Sequence, residues 1–412
     1  MHAASNTDTE REGLVFSGLR VIDFGSFVAS PASTTMLGDL GAEVIKIEPL
    51  EGDPYRTLYT APGHPKGEHN YFWMLTNRNK KSIAIDLKNP ASRAAFDKLI
   101  GSTDVFVTNM PLHVRDRLGV RYDDLRALNH KLVYASFTAY GEKGPQASKT
   151  GYDSTAWWSR SGMMDIIRPG PESAPARPAP AMGDSTSGVS LFAAISAALY
   201  RRERTGKGSY VSTSLLANGI WANSVLTQAV LCKSTYQRRP PREQATNALN
   251  NIYQSGDGRW FFIALGNEDR QWPWLLDVFG DESLRQDLRF STSSARHANA
   301  GALITILDQL FASQGWSYWS ETLDRHNITF SETSTMEEVA HDRQALDSGV
   351  LVPVEGTPGV DYTVATPVFF AHMYPRPAGR APDLGEHTDV LLKELGMTQE
   401  EIAHLRSIGA LL

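Results

Sequence analysis

One carboxylate stands out among the residues able to do chemistry: Asp184, in the run Met182-Gly183-Asp184-Ser185-Thr186-Ser187-Gly188, which opens the small-residue helix pattern Val189 to Tyr200. An aspartate at a helix start is a good cap, because its oxygen accepts an orphan backbone N–H for about 1 kcal/mol. The same setting suits a nucleophile. An anion among the free N–H groups of a helix terminus stays ionised, and the oxyanion of an attacked carbonyl can be held there too. With an ordinary pKa near ~4, a carboxylate needs no general base to attack at neutral pH. The flanking glycines would let a bulky acyl group approach the backbone. Cap and nucleophile both stay open on these residues alone.

Other chemistries find little footing. The eleven histidines are scattered without H-x-x-x-H or H-E-x-x-H spacing, and the single cysteine excludes an internal disulfide and any cysteine-based metal cluster, so no metal is expected. Cys232 lies in an apolar stretch and reads as a buried filler. No G-x-S-x-G follows a strand, and no P-loop is present. The turn Gly25-Ser-Phe-Val-Ala-Ser-Pro31 lacks the G-x-G-x-x-G spacing of a dinucleotide site.

The chain has 412 residues, 41% of them hydrophobic, enough for a large core and two domains. A net charge of −6 argues against nucleic acid, since phosphate neutralisation needs a basic face. The polar, acidic start is not a signal peptide, and residues 1–14 read as a disordered tail. No run approaches the ~18 apolar residues that span a bilayer, so a soluble, cytoplasmic protein without membrane partners is expected.

The elements that must position Asp184 read as an α/β layer. Apolar, β-branched runs at Leu19–Phe24, Glu43–Glu48, Ser82–Leu87, Val105–Asn109 and Leu132–Ser136 are spaced for crossover helices, hence parallel strands. Pro31–Leu40 fits a helix capped by Ser30, and Pro90–Ile100 fits another. Ile167–Met182, rich in proline, predicts an extended loop that is either a lid or a plain connection. Ser209–Leu215 reads as a strand and 216–232 as one long apolar helix. In the smaller α+β part, Asp257-Gly258 marks a hairpin. Val350–Val354 and Val364–Phe370 read as strands. Thr388 or Asp389 would cap a last helix, with His387 structural. The expected organisation is a large α/β domain carrying Asp184 over 15–225, a linker over 226–245, a small domain over 246–330, a linker over 331–349, and 350–412 returning to the large domain.

The chain resembles the class III (CaiB/BaiF-type) coenzyme A transferases. The resemblance is carried by Gly18-Leu-Arg-Val-Ile-Asp-Phe24, Ala29-Ser-Pro31, Leu40–Pro49, Asn79-Lys-Lys-Ser82, Gly151-Tyr-Asp153, Gly183-Asp184, Arg204–Gly208 and Leu384–Thr388, in the family's order. It implies a Rossmann-like parallel-sheet domain built from N- and C-terminal parts, a smaller α+β domain and an interlocked homodimer. It also implies that Asp184 attacks a donor acyl-CoA to give a mixed anhydride, then an aspartyl-CoA thioester from which a small carboxylic acid accepts CoA. CoA is thus a substrate, with no permanently bound cofactor. By motif, Ile85, Lys88, Asn109, Arg117 and Tyr140 are the implied CoA contacts.

Within the family, Gly141–Pro145, Tyr152–Gly162 and Thr366–Phe370 are most like the transferases acting on 2-hydroxy acids and aryl acrylates. Phe27, Val28, Tyr152 and Trp157 are the implied acyl-pocket residues, with Trp158 and Met163 nearby. Val28 stands where oxalate-type members carry glutamine, which speaks against oxalate or formate. The rival reading is a 2-methylacyl-CoA racemase, whose histidine falls on Tyr152; a tyrosine of pKa near ~10 is a poor base at neutral pH. A rival from another class is a non-catalytic CoA-binding protein, which loss of Asp184 would mark.

Overall fold

The computed structural model describes residues 13–373 and 375–412, so most of the tail expected over 1–14 lies outside the described residues. The chain divides into two compact units, one of residues 1–163, 178–228 and 343–412, the other of 164–177 and 229–342.

The first unit is organised by six strands: β1 (Arg20–Phe24), β2 (Glu43–Glu48), β3 (Lys81–Ala84), β4 (Val105–Thr108), β5 (Val133–Thr138) and β6 (Ser209–Ser214). They form one parallel sheet in the order β3-β2-β1-β4-β5-β6. This doubly wound order reverses between β1 and β4, and ligands of such sheets bind outside the carboxyl ends of the strands at that reversal. Crossovers run through α1 (Ala29–Asp39), α2 (Arg93–Gly101), α3 (Tyr122–Leu128) and the 24-residue α4 (Met182–Thr205). Ile22, Ile45 and Phe106 are fully buried, as parallel strands covered on both faces require. The same core takes Leu391 and Leu392 from α5 (Thr388–Glu394) and Ile402 from α6 (Gln399–Ser407), so the chain's end closes the sheet that its beginning starts.

The second unit holds the antiparallel strands β7 (Asn250–Gln254), β8 (Trp260–Ala264) and β9 (Phe330–Glu332). The hairpin at Asp257-Gly258 forms, with Gly258 at φ 87°. Its core is aromatic, around Tyr253, Phe261, Phe311 and Trp319. A separate hairpin, β10 (Leu351–Pro353) with β11 (Tyr362–Val364), belongs to the first unit.

Several local expectations are corrected. The first helix starts at Ala29 with Val28 in the cap position and no side-chain cap, so Ser30 lies inside its first turn. The stretch 216–232 is two helices, Leu215–Ala222 and Ser224–Leu231, broken at Asn223, whose Nδ2 donates to the Ser161 carbonyl at 2.6 Å. The strand expected from Val364 ends at that residue instead, ahead of Pro367. Cys232 is exposed rather than buried. Neither Thr388 nor Asp389 caps α5; His387 holds the cap position without a side-chain cap bond, its Nδ1 instead accepting from the Ser82 N–H at 3.3 Å, and Thr388 Oγ1 accepts from the Ala84 N–H. Residues 167–181 carry no helix or strand, as their prolines foretell. No helix of the described residues is long and apolar enough to cross a membrane.

Candidate active site

Two helices begin side by side at the carboxyl edge of the sheet. Gly188 allows it, because a Cβ there would meet the Ala29 carbonyl oxygen at 3.0 Å and the Ala32 Cβ at 3.1 Å. One turn before Gly188 stands Asp184. α4 begins with Ala181 in the left-handed region (φ 57°), and its first helical bond runs from the Ser185 N–H to the Ala181 carbonyl. Asp184 is therefore the third residue of the helix, and the capping reading fails: no side chain caps α4. Among the described residues its carboxylate accepts no hydrogen bond and joins no ion pair, an unusual state for a half-buried acid.

The expectation that Asp184 stays comfortably ionised is also corrected. Burial first, and the carboxylate of Asp153 second, push its pKa up to about 7. Asp153 opens the π-helical turn Asp153–Ser159 and lies directly beneath Gly183. A Cβ on Gly183 would fall 2.2 Å from Asp153 Oδ1 and 2.4 Å from the Trp157 ring. Burial raises Asp153 to about 6, against the pull of the N–H groups of Gly183, Ala181 and Asp184 and of the Trp158 indole. Because Asp153 Oδ1 has no partner of full hydrogen-bond geometry, these groups act on it as nearby dipoles.

The loop between β1 and α1 forms the facing wall. Asn109, at the end of β4, accepts from the Ser26 N–H at 2.9 Å and donates to the Ser26 carbonyl at 2.7 Å. The Ser26 hydroxyl donates to Asp53 Oδ1 at 2.7 Å, and Lys46 Nζ donates to the Gly25 carbonyl at 2.8 Å. So restrained, the chain drives Phe27 to φ 62°, a conformation that costs a bulky L-residue about 1–2 kcal/mol. Beneath the loop lies a buried charge network. Lys46 pairs with Asp53 at 3.0 Å, and Lys80 with Asp23 at 2.8 Å. Lys80 also donates to the carbonyls of Pro31 and Thr76, and burial, opposed by Asp23, brings it down to about 8. Burial works against charge on Asp23 and Lys46 as well, yet mutual attraction holds Asp23 below and Lys46 above its ordinary value. Each ion is paired and hydrogen-bonded, the condition on which buried charges are tolerated.

Val28, Tyr55 and Trp73 form a small buried cluster against which Phe27, Phe72 and Ala181 pack, so the start of α4 and the loop share one apolar wall. Tyr55 stacks on Phe72 at 5.0 Å and meets Phe27 edge-on at 6.2 Å. Burial, then the Asp184 carboxylate, raises the Tyr55 phenol, which keeps it neutral.

The structure thus brings Asp184, Phe27 and Val28 together. It places Trp157 beneath the helix start, buried with its indole N–H unpartnered, and leaves Tyr152 exposed at 60%. Trp158 is buried beside Trp157. Ile85 follows β3, buried and bridged to Leu411, with its N–H taken by the Glu48 carbonyl. Lys88 is exposed just beyond it, and Arg117 is exposed near the end of its helix. Two residues before it, Arg115 is buried, donating to the Met110 carbonyl at 2.6 Å and Ser136 Oγ at 2.7 Å. Tyr140 is half-buried under Lys149, whose Nζ stands 5.6 Å from the ring. Sequence reasoning missed Asp153 as a partner of Asp184, Tyr55 and Phe72 in the wall, and the charges Asp23, Lys46, Asp53 and Lys80. A charged residue inside an apolar strand run, as at Asp23 and Lys46, is the signal that was there.

The model of CoA-transferase family III matches residues 16–388. The chain is 30% identical over 400 residues to the (R)-2-hydroxy-4-methylpentanoate CoA-transferase of Clostridioides difficile, covering 95% of this chain and 98% of that one. It is 30% identical to the cinnamoyl-CoA:phenyllactate CoA-transferase of Clostridium sporogenes, over 95% of this chain and 96% of the relative. The crystal structure of a CaiB/BaiF family protein from Brucella suis superposes with a TM-score of 0.82 at 29% identity, covering 93% of this chain and 100% of that chain.

Proposed function

The chain belongs to CoA-transferase family III, and from that premise we propose that it moves CoA from an acyl-CoA donor to an apolar carboxylic acid through covalent intermediates on Asp184. The observation that carries this reading is the bare carboxylate: half-buried, unbonded, in the first turn of a 24-residue helix at the carboxyl edge of the sheet. A structural aspartate would have a partner; a nucleophile needs its oxygens free.

The steps follow from the groups present. Asp184 as carboxylate attacks the thioester carbonyl; a C–O bond forms, the C–S bond breaks, and CoA thiolate leaves. The thiolate attacks the Asp184 carbonyl of the anhydride, releasing the donor acid and leaving an aspartyl-CoA thioester. The acceptor carboxylate then reverses the two steps. One negative charge passes from Asp184 to thiolate to released acid, and no metal or redox partner enters the balance. The N–H groups at the start of α4 favour each oxyanion.

The aromatic wall of Phe27, Tyr55 and Phe72 supports a branched or aryl acyl group, in keeping with the names of the two relatives above. The CoA moiety is assigned to Ile85, Lys88, Arg117 and Tyr140, which follow β3, β4 and β5 at the same sheet edge, with Asn109 holding the loop that faces them. Exposure of Trp221 (79%) and Val225 (81%) supports burial of those faces in a homodimer, with the interlocked form implied by the family. Asp184→Ala tests the assignment: transfer is lost while CoA binding and the circular dichroism spectrum persist. Turnover within tenfold of the unaltered enzyme overturns it.

A further inference from the structure

We propose that Asp153 is a positioning residue that sets the charge of Asp184, its carboxylate keeping on Asp184 a proton that must leave before attack and that goes to solvent when Asp184 is acylated. The inference rests on the nucleophile reading above, and three geometric facts carry it. Asp153 is more than nine-tenths buried, and its Oδ1 has no hydrogen-bond partner, although backbone N–H groups stand close by. It is wedged against the residue before Asp184, where only glycine fits, since a Cβ on Gly183 would overlap Asp153 Oδ1 at 2.2 Å. And among the described residues no cation offsets the two acids.

The elements packed on the first turn of α4 bring no positive charge to the pair. The turn Asp153–Ser159 contributes Asp153 alone. Helix Leu215–Ala222 contributes no ionisable group. α1 carries only Asp39, at its far end and paired with Arg78 at 2.7 Å. β5 and β6 supply Tyr134 and Tyr210, both raised by burial and therefore neutral. Tyr55 faces Asp184 and is neutral for the same reason. The two carboxylates thus see chiefly each other, and at neutral pH the pair shares a proton as a coupled unit.

The consequence is an asymmetry between the half-reactions. In the free enzyme Asp153 is the first of the pair to ionise, so the shared proton sits chiefly on Asp184 and must leave before Asp184 can attack. Once Asp184 is an anhydride or a thioester it can hold no proton, and the proton that the pair carried goes to solvent. No bond of the transfer consumes that proton, so it appears in the medium as the thioester forms and returns when the second half-reaction restores the Asp184 carboxylate. The first half-reaction therefore has an ascending pH limb that the second lacks.

The test is single-turnover acylation by a donor acyl-CoA between pH 5 and 9, with a pH-indicator dye recording protons, on the unaltered enzyme and Asp153→Asn. The limb of the unaltered enzyme lies near pH 7, so at pH 6 it runs at about a tenth of its plateau. In Asp153→Asn the limb moves acidward; a shift of one unit gives about half of plateau at pH 6. Proton release at pH 7 is about half a proton per site in the unaltered enzyme and falls severalfold in the variant. A variant whose plateau falls with its limb unmoved makes Asp153 a helix prop and overturns the proposal, as does acylation without proton release. The release measurement on the unaltered enzyme stands even where the variant folds poorly. Failure here with Asp184 still acylated refutes only Asp153's part, whereas an unacylated Asp184 refutes the nucleophile itself.

Discussion

Asn109→Ala separates two accounts of one residue. The family resemblance makes Asn109 a CoA contact, but both ends of its carboxamide are already taken by the Ser26 backbone, at 2.9 and 2.7 Å. Two neutral hydrogen bonds are worth about 2 kcal/mol net. They oppose the strain of about 1–2 kcal/mol stored in left-handed Phe27. Without them the loop retains the Ser26–Asp53 and Lys46–Gly25 bonds, and Phe27 is free to relax away from Tyr55. Global stability therefore falls by only about 1 kcal/mol, because lost bonds and relieved strain partly cancel. The competent loop, by contrast, loses up to about 2 kcal/mol relative to relaxed forms, which is roughly thirtyfold in kcat. Steady-state kinetics with a varied acyl-CoA, beside calorimetric CoA binding and urea unfolding, read all three quantities. The expected pattern is kcat down about ten- to thirtyfold, CoA affinity within twofold, and a small shift in the urea midpoint. A tenfold loss of CoA affinity with kcat intact would refute this reasoning and restore the contact role.

Two further outcomes follow from the same geometry. Gly183→Ala forces a methyl into Asp153 Oδ1 and the Trp157 ring; the first turn of α4 must move, lowering stability by about 1–3 kcal/mol in urea unfolding and transfer by at least a hundredfold, and near-normal activity would show that the turn has room. Asp184→Asn probes linkage: a carboxyl whose folded pKa rises from 3.8 to about 7 costs the native state stability progressively as pH rises between those values. The variant should thus gain stability over the unaltered enzyme at pH 8 and lose that gain toward pH 4, and a pH-independent difference in urea midpoint would contradict the raised pKa.

Much of this was legible in the chain. The runs Arg20–Phe24 and Glu43–Glu48 announce strands because β-branched residues fill both buried faces, and Gly183-Asp184 announces a reactive acid beside a close backbone approach. What stayed hidden is what distant segments decide together. The strand order depends on pairings of residues far apart in the chain, such as Val21 with Val105. The cap reading of Asp184 failed because α4 starts at Met182 behind a left-handed Ala181, a conformation alanine does not advertise. The partnership of Asp184 with Asp153 and Tyr55 likewise crosses long stretches of sequence, as does the packing of Trp157 against Gly183.

The most direct test of the central claim is chemical trapping of the intermediate. The enzyme is incubated with donor acyl-CoA and hydroxylamine, without acceptor, and digested for peptide mass spectrometry. A hydroxamate is expected on Asp184 in the peptide holding Met182–Gly188, dependent on donor and absent from Asp184→Asn. An unmodified Asp184 under conditions where transfer to an acceptor proceeds would contradict it.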